Sequence, residues 1–376
     1  MSDELLPVET LDRLSRQEGV DVRPILVRVL TDLFIQKPHH APEEVARYEE
    51  LALQLIETVD AHTRAIVARK LADEPRAPRR LIDRLLQDEP AVAAPILARC
   101  AEVPRHVLLT VALDGGAIEA SAIALRSDID SDIIRILSHH PDDLVLESLV
   151  ANPAAKPGEA SLAALVARAL AAPPLASAVL RREDFDAAGL APLYLLASRE
   201  RRAEIRQALE SRPTRPAFAA RPVRNADAVD AALVEAATET GRGHVIVEAL
   251  GEALGLKPEQ AAWLASEPSG EAFVMMLRAA GVDSDSIARA LLIAQPDIAG
   301  SVARFFELVE VAESTSRAVA GDIVAALART ETRAPARHEP LLDPSGSPER
   351  AGAARAAPRA RRTFSRAGDV ATRQRG

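Results

Sequence analysis

Apolar residues recur along most of this chain at intervals of three and four, the spacing that lines one face of an α-helix. Pro24-Ile25-Leu26-Val27-Arg28-Val29-Leu30, continuing through Thr31-Asp32-Leu33-Phe34-Ile35, predicts a helix that Lys37-Pro38-His39-His40 breaks. Pro42-Glu43-Glu44 opens a second helix running to about Val59, with acids in the first turn where the helix dipole favours them. From residue 62 the pattern repeats. A shift of 26 residues over 62–165 aligns Ile66, Val92, Ile118 and Leu144 in one column, and Leu71, Leu97, Ile123 and Leu149 in another. A second helix of each unit aligns Leu81, Val107 and Ile133 with Glu159, and Ile82, Leu108 and Ile134 with Ala160. Leu85, Val111, Leu137 and Ala163 complete it, so the fourth copy is degraded in its second half.

The punctuation recurs with the apolar columns. Asp88 and Asp114 are expected to cap the first helices of their units, because a carboxylate accepts from otherwise orphaned N–H groups. Pro78, Pro104 and Asp130 share a column at the start of the second helix, with Pro157 one place late; proline is tolerated in a first turn, whose N–H has no partner. Two helices in about 26 residues cannot bury their own apolar faces, so the units are expected to stack as an α-solenoid. The two leading helices would cap its open end.

Beyond the repeat, Leu193-Tyr194-Leu195-Leu196 and Ile205 to Leu209 predict two more helices. Arg212-Pro213-Thr214-Arg215-Pro216 and Arg221-Pro222 read as a linker. Helical periodicity then resumes: Pro258 opens one helix, Ser269 precedes another that Gly281 ends, and Asp283 or Ser284 caps a third that Pro296 stops. Trp263, Phe273, Met275, Met276, Phe305 and Phe306 stand at helical spacing and are expected in the core. The expected division is 1–60 capping helices, 61–210 repeat, 211–225 linker, 226–330 second helical domain and 331–376 a disordered Arg/Ala/Pro-rich tail.

Composition sharpens this all-α reading. Apolar residues make up 48% of the 376 positions but aromatics only 3%, leaving mostly Ala, Leu and Val, and Ala and Leu are strong helix formers. Cys100 is the only cysteine, which excludes a disulfide framework and multi-cysteine zinc sites; an inert, buried thiol is expected. The acidic start, Met1-Ser2-Asp3-Glu4, lacks the basic region of a secretory signal, and no apolar stretch is long enough to span a bilayer, so a cytoplasmic location is expected.

The net charge of −9 is segregated: −7 over 1–60, −3 over 61–165, +5 over 166–225, −9 over 226–330 and +5 over 331–376. Arg355, Arg359, Arg361, Arg362, Arg366, Arg373 and Arg375 in the tail are candidate contacts for a phosphate backbone or another anionic partner, including an anionic membrane surface. The tail could equally fold back on the acidic 226–330 block.

Four stretches carry a family likeness: Arg28-Val29-Leu30-Thr31-Asp32-Leu33-Phe34, Val150-Ala151-Asn152-Pro153, Glu267-Pro268-Ser269-Gly270-Glu271-Ala272, and Pro296-Asp297-Ile298 with Ser301-Val302. In this order they resemble an alphaproteobacterial family, domain of unknown function 2336, over roughly residues 25–330. The resemblance implies a HEAT-like helical protein and no catalytic residues to carry over.

The remaining chemistry is thin. Gly241-Arg242-Gly243-His244 lacks the third glycine and the preceding strand of a dinucleotide loop, so it is expected to end one helix and begin the next. His139-His140-Pro141-Asp142-Asp143 has no i, i+4 histidine pair, and its aspartates suit the next helix N-terminus better than a metal. No catalytic, cofactor or metal residues are assigned. The leading expectation is a non-enzymatic scaffold that binds protein partners through the solenoid surface; the alternative is a nucleic-acid-associated protein using the Arg-rich tail and the basic junction.

Overall fold

The computed structural model describes residues 21–212, 226–238, 243–295, 298 and 300–331. Among them every regular element is a helix. Two leading helices, α1 (Arg23–Gln36) and α2 (Pro42–Ile56), precede four helix pairs. These are α3 (Ala61–Leu71) with α4 (Arg79–Leu86), α5 (Pro90–Arg99) with α6 (Arg105–Asp114), α7 (Ala117–Ala124) with α8 (Ser131–Leu137), and α9 (Asp143–Ala151) with α10 (Glu159–Ala169). Then come α11 (Pro173–Arg181), a 3-10 segment (Ala187–Leu196) and α12 (Arg199–Ser211). The first helices form a continuous row in which α1, α3, α5, α7, α9 and α11 each pack on the next. The second helices touch more sparsely, α2 on α4, α6 on α8 and α8 on α10.

The columns explain this stacking only in part. Leu71, Leu97, Ile123 and Leu149 are all buried, as are Leu81, Leu85, Ile133 and Leu137. Val107 and Val111 are half-buried, while Ala160 and Ala163 are exposed; α10 buries Leu162, Leu165 and Val166 instead, because a longer turn before it displaces the register by about three residues. The column of Ile66, Val92, Ile118 and Leu144 behaves differently: Val92 is buried and Ile66 half-buried, but Ile118 and Leu144 face solvent.

Two expected caps are replaced. The N-cap of α5 is Glu89, and the Asp88 carboxylate instead takes Arg64 Nε at 2.7 Å. Asp114 is the last residue of α6; Gly116 precedes α7, and its N–H donates to the Glu119 carboxylate at 3.0 Å. Pro78 and Pro104 occupy the N-cap itself rather than the first turn, and at the same column the Asp130 carboxylate accepts from the Asp132 and Ile133 N–H groups at 2.9 Å. The expected helix at Leu193–Leu196 is the 3-10 segment, because Pro192 within it removes a backbone donor and favours the tighter turn.

The later helices are α13 (Ala226–Thr238), α14 (Gly243–Leu254), α15 (Pro258–Ala265), α16 (Glu271–Ala280), α17 (Ser284–Ala294), α18 (Val302–Glu313) and α19 (Arg317–Glu331). Asp283 caps α17, and Gly281 ends α16 in the left-handed conformation at φ +97°. Phe273, Val274, Met275, Met276 and Leu277 are all buried, so α16 is apolar around its whole circumference and forms the centre of this part. Two aromatics expected in the core reach the surface: Phe306 is 65% exposed and Trp263 39%. Helix α19 packs on α16, on the 3-10 segment and on α12, so a continuous core runs from Val27 to Leu327.

The helices are short, and each α-helix leaves four C-terminal carbonyls without partners inside it. Side chains from the next unit reach those carbonyls. Arg99 Nη2 donates to the Arg69 carbonyl at 3.0 Å. Arg126 Nη1 donates to the carbonyls of Leu97 at 2.8 Å and Cys100 at 3.0 Å. One unit later Asn152 Nδ2 donates to the carbonyls of Ala124 at 2.8 Å and Arg126 at 2.7 Å. Arg182 then donates to those of Val150, Asn152 and Ala155. Cys100, Arg126 and Asn152 stand 26 residues apart in one column. Arg126 is only 2% exposed, and its Nε and Nη2 are held by Asp128.

Two predictions follow from this geometry. Arg126→Ala leaves two buried carbonyls unpaired and is expected to lower stability by about 3 kcal/mol. Arg105→Ala, which removes only exposed pairs with Asp130 and Asp132, is expected to cost about 0.5 kcal/mol or less, both read by urea unfolding. Burial alone would raise the Asp88 carboxyl, but hydrogen bonds from Arg64 and the Glu89 N–H outweigh it and hold it below its usual range. Its stabilisation is therefore present above the unfolded-state value and lost as pH falls through the folded one. Asp88→Asn is expected to be less stable than wild type at neutral pH, with the difference closing in acid; a pH-independent difference would contradict the linkage.

Candidate functional site

The most concentrated set of charges joins the 3-10 segment and α12 to the loop before α16. That loop, Glu267-Pro268-Ser269-Gly270, folds on itself: the Glu267 carboxylate accepts from the Ser269 N–H at 3.1 Å and from its hydroxyl. Gly270 has φ +74°, and a Cβ there would lie 2.3 Å from Ile298 Cδ1, so both backbone conformation and space demand glycine. The turn delivers Glu271 at the start of α16, where it is 4% exposed. Its Oε1 lies 3.0 Å from Arg202 Nη1 and 3.6 Å from Arg304 Nη2, and its Oε2 lies 4.0 Å from Arg206 Nη1.

Tyr194, buried in the 3-10 segment, completes the cluster. Its hydroxyl donates to Glu271 Oε2 at 3.0 Å and accepts from Arg206 Nη1 at 2.7 Å. Burial, and then the neighbouring carboxylate, push this phenol above its ordinary range, so it stays a neutral donor. Arg202 also donates to the carbonyls of Ala197 and Leu195, and Arg304 to that of Ser269. Glu307 balances Arg304 at 3.0 Å and Arg199 at 2.9 Å. The buried carboxylate is thus surrounded by three guanidinium groups and a phenol, contacts that join the 3-10 segment, α12, α16 and α18.

Several residues marked in the sequence find other surroundings. Arg355, Arg359, Arg361, Arg362, Arg366, Arg373 and Arg375 lie outside the described residues, as do Gly241 and Arg242. Of the basic junction, Arg182, Arg199, Arg201, Arg202, Arg206 and Arg212 are engaged with carbonyls or carboxylates of the chain itself. Cys100 is buried, which raises its thiol above the usual range. His139 Nδ1 contacts the Arg135 carbonyl, and His140 Nδ1 accepts from the Asp142 N–H, whose own side chain caps α9. Among the described residues no group of three or more His, Cys, Asp or Glu could hold a metal ion, and no helix is long and apolar enough to cross a membrane.

Sequence reasoning did not find the Glu271 cluster. Tyr194 and Glu271 are 77 positions apart, and no spacing rule connects them. The one available signal was electrostatic: the block of +5 adjoins the block of −9.

A buried carboxylate held by guanidinium groups is costly to dismantle from one side, because the desolvated partners stay behind. Glu271→Gln is therefore expected to lower stability by about 3 kcal/mol. Tyr194→Phe is expected to cost about 1 kcal/mol, both measured by denaturant titration.

The loop that delivers Glu271 is one of the four stretches carrying the family likeness, and its glycine and both glutamates have structural reasons to be there. Neither the curated proteins nor the solved structures contain a match to the chain. Residues 92–325, more than half of the sequence and including that loop, match the family described as an uncharacterised protein conserved in bacteria, DUF2336. The chain belongs to that family.

Proposed function

We propose that the chain is a non-enzymatic scaffold that binds protein partners along the row of first helices. The observation that supports this reading most directly is the pair Ile118 and Leu144, 51% and 52% exposed. They stand 26 residues apart at the same position of α7 and α9, which pack on each other, so two large aliphatic side chains repeat on neighbouring helices. Single exposed apolar residues are ordinary, whereas a repeated one on neighbouring helices forms a patch that a partner can dry. The half-buried Ile66 continues the column on α3. The pairs Arg99–Asp73 and Arg105–Asp130 tie successive units together and hold the rows in register.

The Glu271 cluster supports the same reading from the other side. It holds the end of the array rigid and offers no reactive group, which suits a binding surface better than a catalytic one. Binding of nucleic acid would draw on the tail more than on the described junction arginines Arg182, Arg202 and Arg206, which already have partners within the chain.

The test is the double variant Ile118→Glu, Leu144→Glu in the full chain, with thermal unfolding to verify that the fold is kept. Proteins cross-linked to wild type in a nuclease-treated bacterial lysate are expected to fall at least about tenfold with the variant, equivalent to 1.4 kcal/mol. Unchanged recovery, or recovery of nucleic acid alone, would defeat the proposal.

A further inference from the structure

Helices α14 and α15, with the end of α17, enclose a groove of about 910 Å³. Its floor is small: Gly243, Val247 and Gly251 follow one another at four-residue spacing on α14, opposite Ala261 and Ala265 of α15. These residues are small because the helices approach closely, and a Cβ on Gly251 would lie 3.1 Å from that of Ala261. The rim carries charge of one sign. Glu248 and Glu252, one turn apart on α14, are exposed and make no ion pair among the described residues. Several basic residues of this block are held within the chain: Arg278 donates to the Thr315 carbonyl, Arg317 to that of Ala279 and Arg304 to that of Ser269, while Lys257 and Arg289 are exposed.

Resting on the reading of this chain as a protein-binding one, we propose that the groove receives a cationic amphipathic helix of a partner protein. The helix lays a small-sided apolar face on the floor and pairs basic residues, one turn apart, with Glu248 and Glu252. The chemistry follows from the groove. Small and apolar side chains line the groove and leave room for the side chains of an apolar helix face, and two glutamates at i, i+4 match Lys or Arg at the same spacing. Helix α14, Gly243–Leu254, has 12 residues, so the contact is about three turns long.

The probe is a labelled synthetic peptide of about four helical turns, with Ala and Leu on one face and Arg at i, i+4. Fluorescence anisotropy with the full chain is expected to show saturable binding, weakened at high salt as exposed charge pairs are screened. Glu248→Lys with Glu252→Lys is expected to abolish it and to bind the matching peptide with Glu in place of Arg. Ala262→Trp, at an exposed position of the wall, is expected to block both peptides without altering thermal unfolding. Binding unaffected by Ala262→Trp would place the peptide elsewhere and overturn the proposal. So would absence of binding by the full chain, or self-association that Ala262→Trp abolishes, which would make a second copy the occupant. Binding that emerges only when the arginines beyond residue 350 are replaced by serine would identify the chain's own segment as occupant and also overturn it. Ile118→Glu with Leu144→Glu is expected to leave peptide binding intact, so failure here and failure of the array surface are separable.

Discussion

Short helices impose the constraint on which the rest of this structure depends. An α-helix of ten residues leaves four of its carbonyls without internal partners, and a chain built from such helices buries many of those ends. Desolvating a carbonyl without a donor costs on the order of 1–3 kcal/mol. The fold answers with side-chain donors sent from neighbouring elements: Arg126, Asn152 and Arg182 from the following unit of the array, and Gln260, Arg278 and Arg317 across the later helices. Stacking is thus specified twice, by apolar side chains that fill the core and by polar ones that fit the helix end of one neighbour.

That use of arginine redistributes the charge. Counted along the sequence, residues 166–225 form a basic block suited to a phosphate backbone. In the folded chain Arg182 of this block reaches carbonyls in the array, and Arg202 and Arg206 converge on Glu271 beside the loop before α16. The Glu271 cluster is the same solution at a larger scale: groups from the 3-10 segment, α12 and α18 meet on one buried carboxylate and fix the later helices against the array. What this leaves at the surface includes unpaired acids such as Glu248 and Glu252 and a few large aliphatic side chains such as Ile118 and Leu144.

Those leftovers are the features on which the proposed partner-binding reading rests. Ile118 and Leu144 are apolar where the core does not need them, and Glu248 and Glu252 are charged where no neighbour answers them. Both features sit on rigid helices, where a binding surface loses little entropy when it is occupied.

The sequence by itself determined the helices, the unit length and most of the core. Periodicity is a local property: Leu71, Leu97, Ile123 and Leu149 are buried because each lies on the apolar stripe of its own helix, and Asp130, Asp142, Asp283 and Gly281 act on the backbone within a few residues. Only the tertiary structure decided the contacts of Asp88 with Arg64 and of Arg126 with the Leu97 and Cys100 carbonyls, since these partners lie about a full unit away. The same holds for Ile118 and Leu144, whose apolar character is legible but whose exposure depends on which faces the neighbouring helices cover. Glu271 is the extreme case: nothing near it in sequence announces three arginines and a tyrosine, because charges separated by scores of residues meet only once the chain has packed.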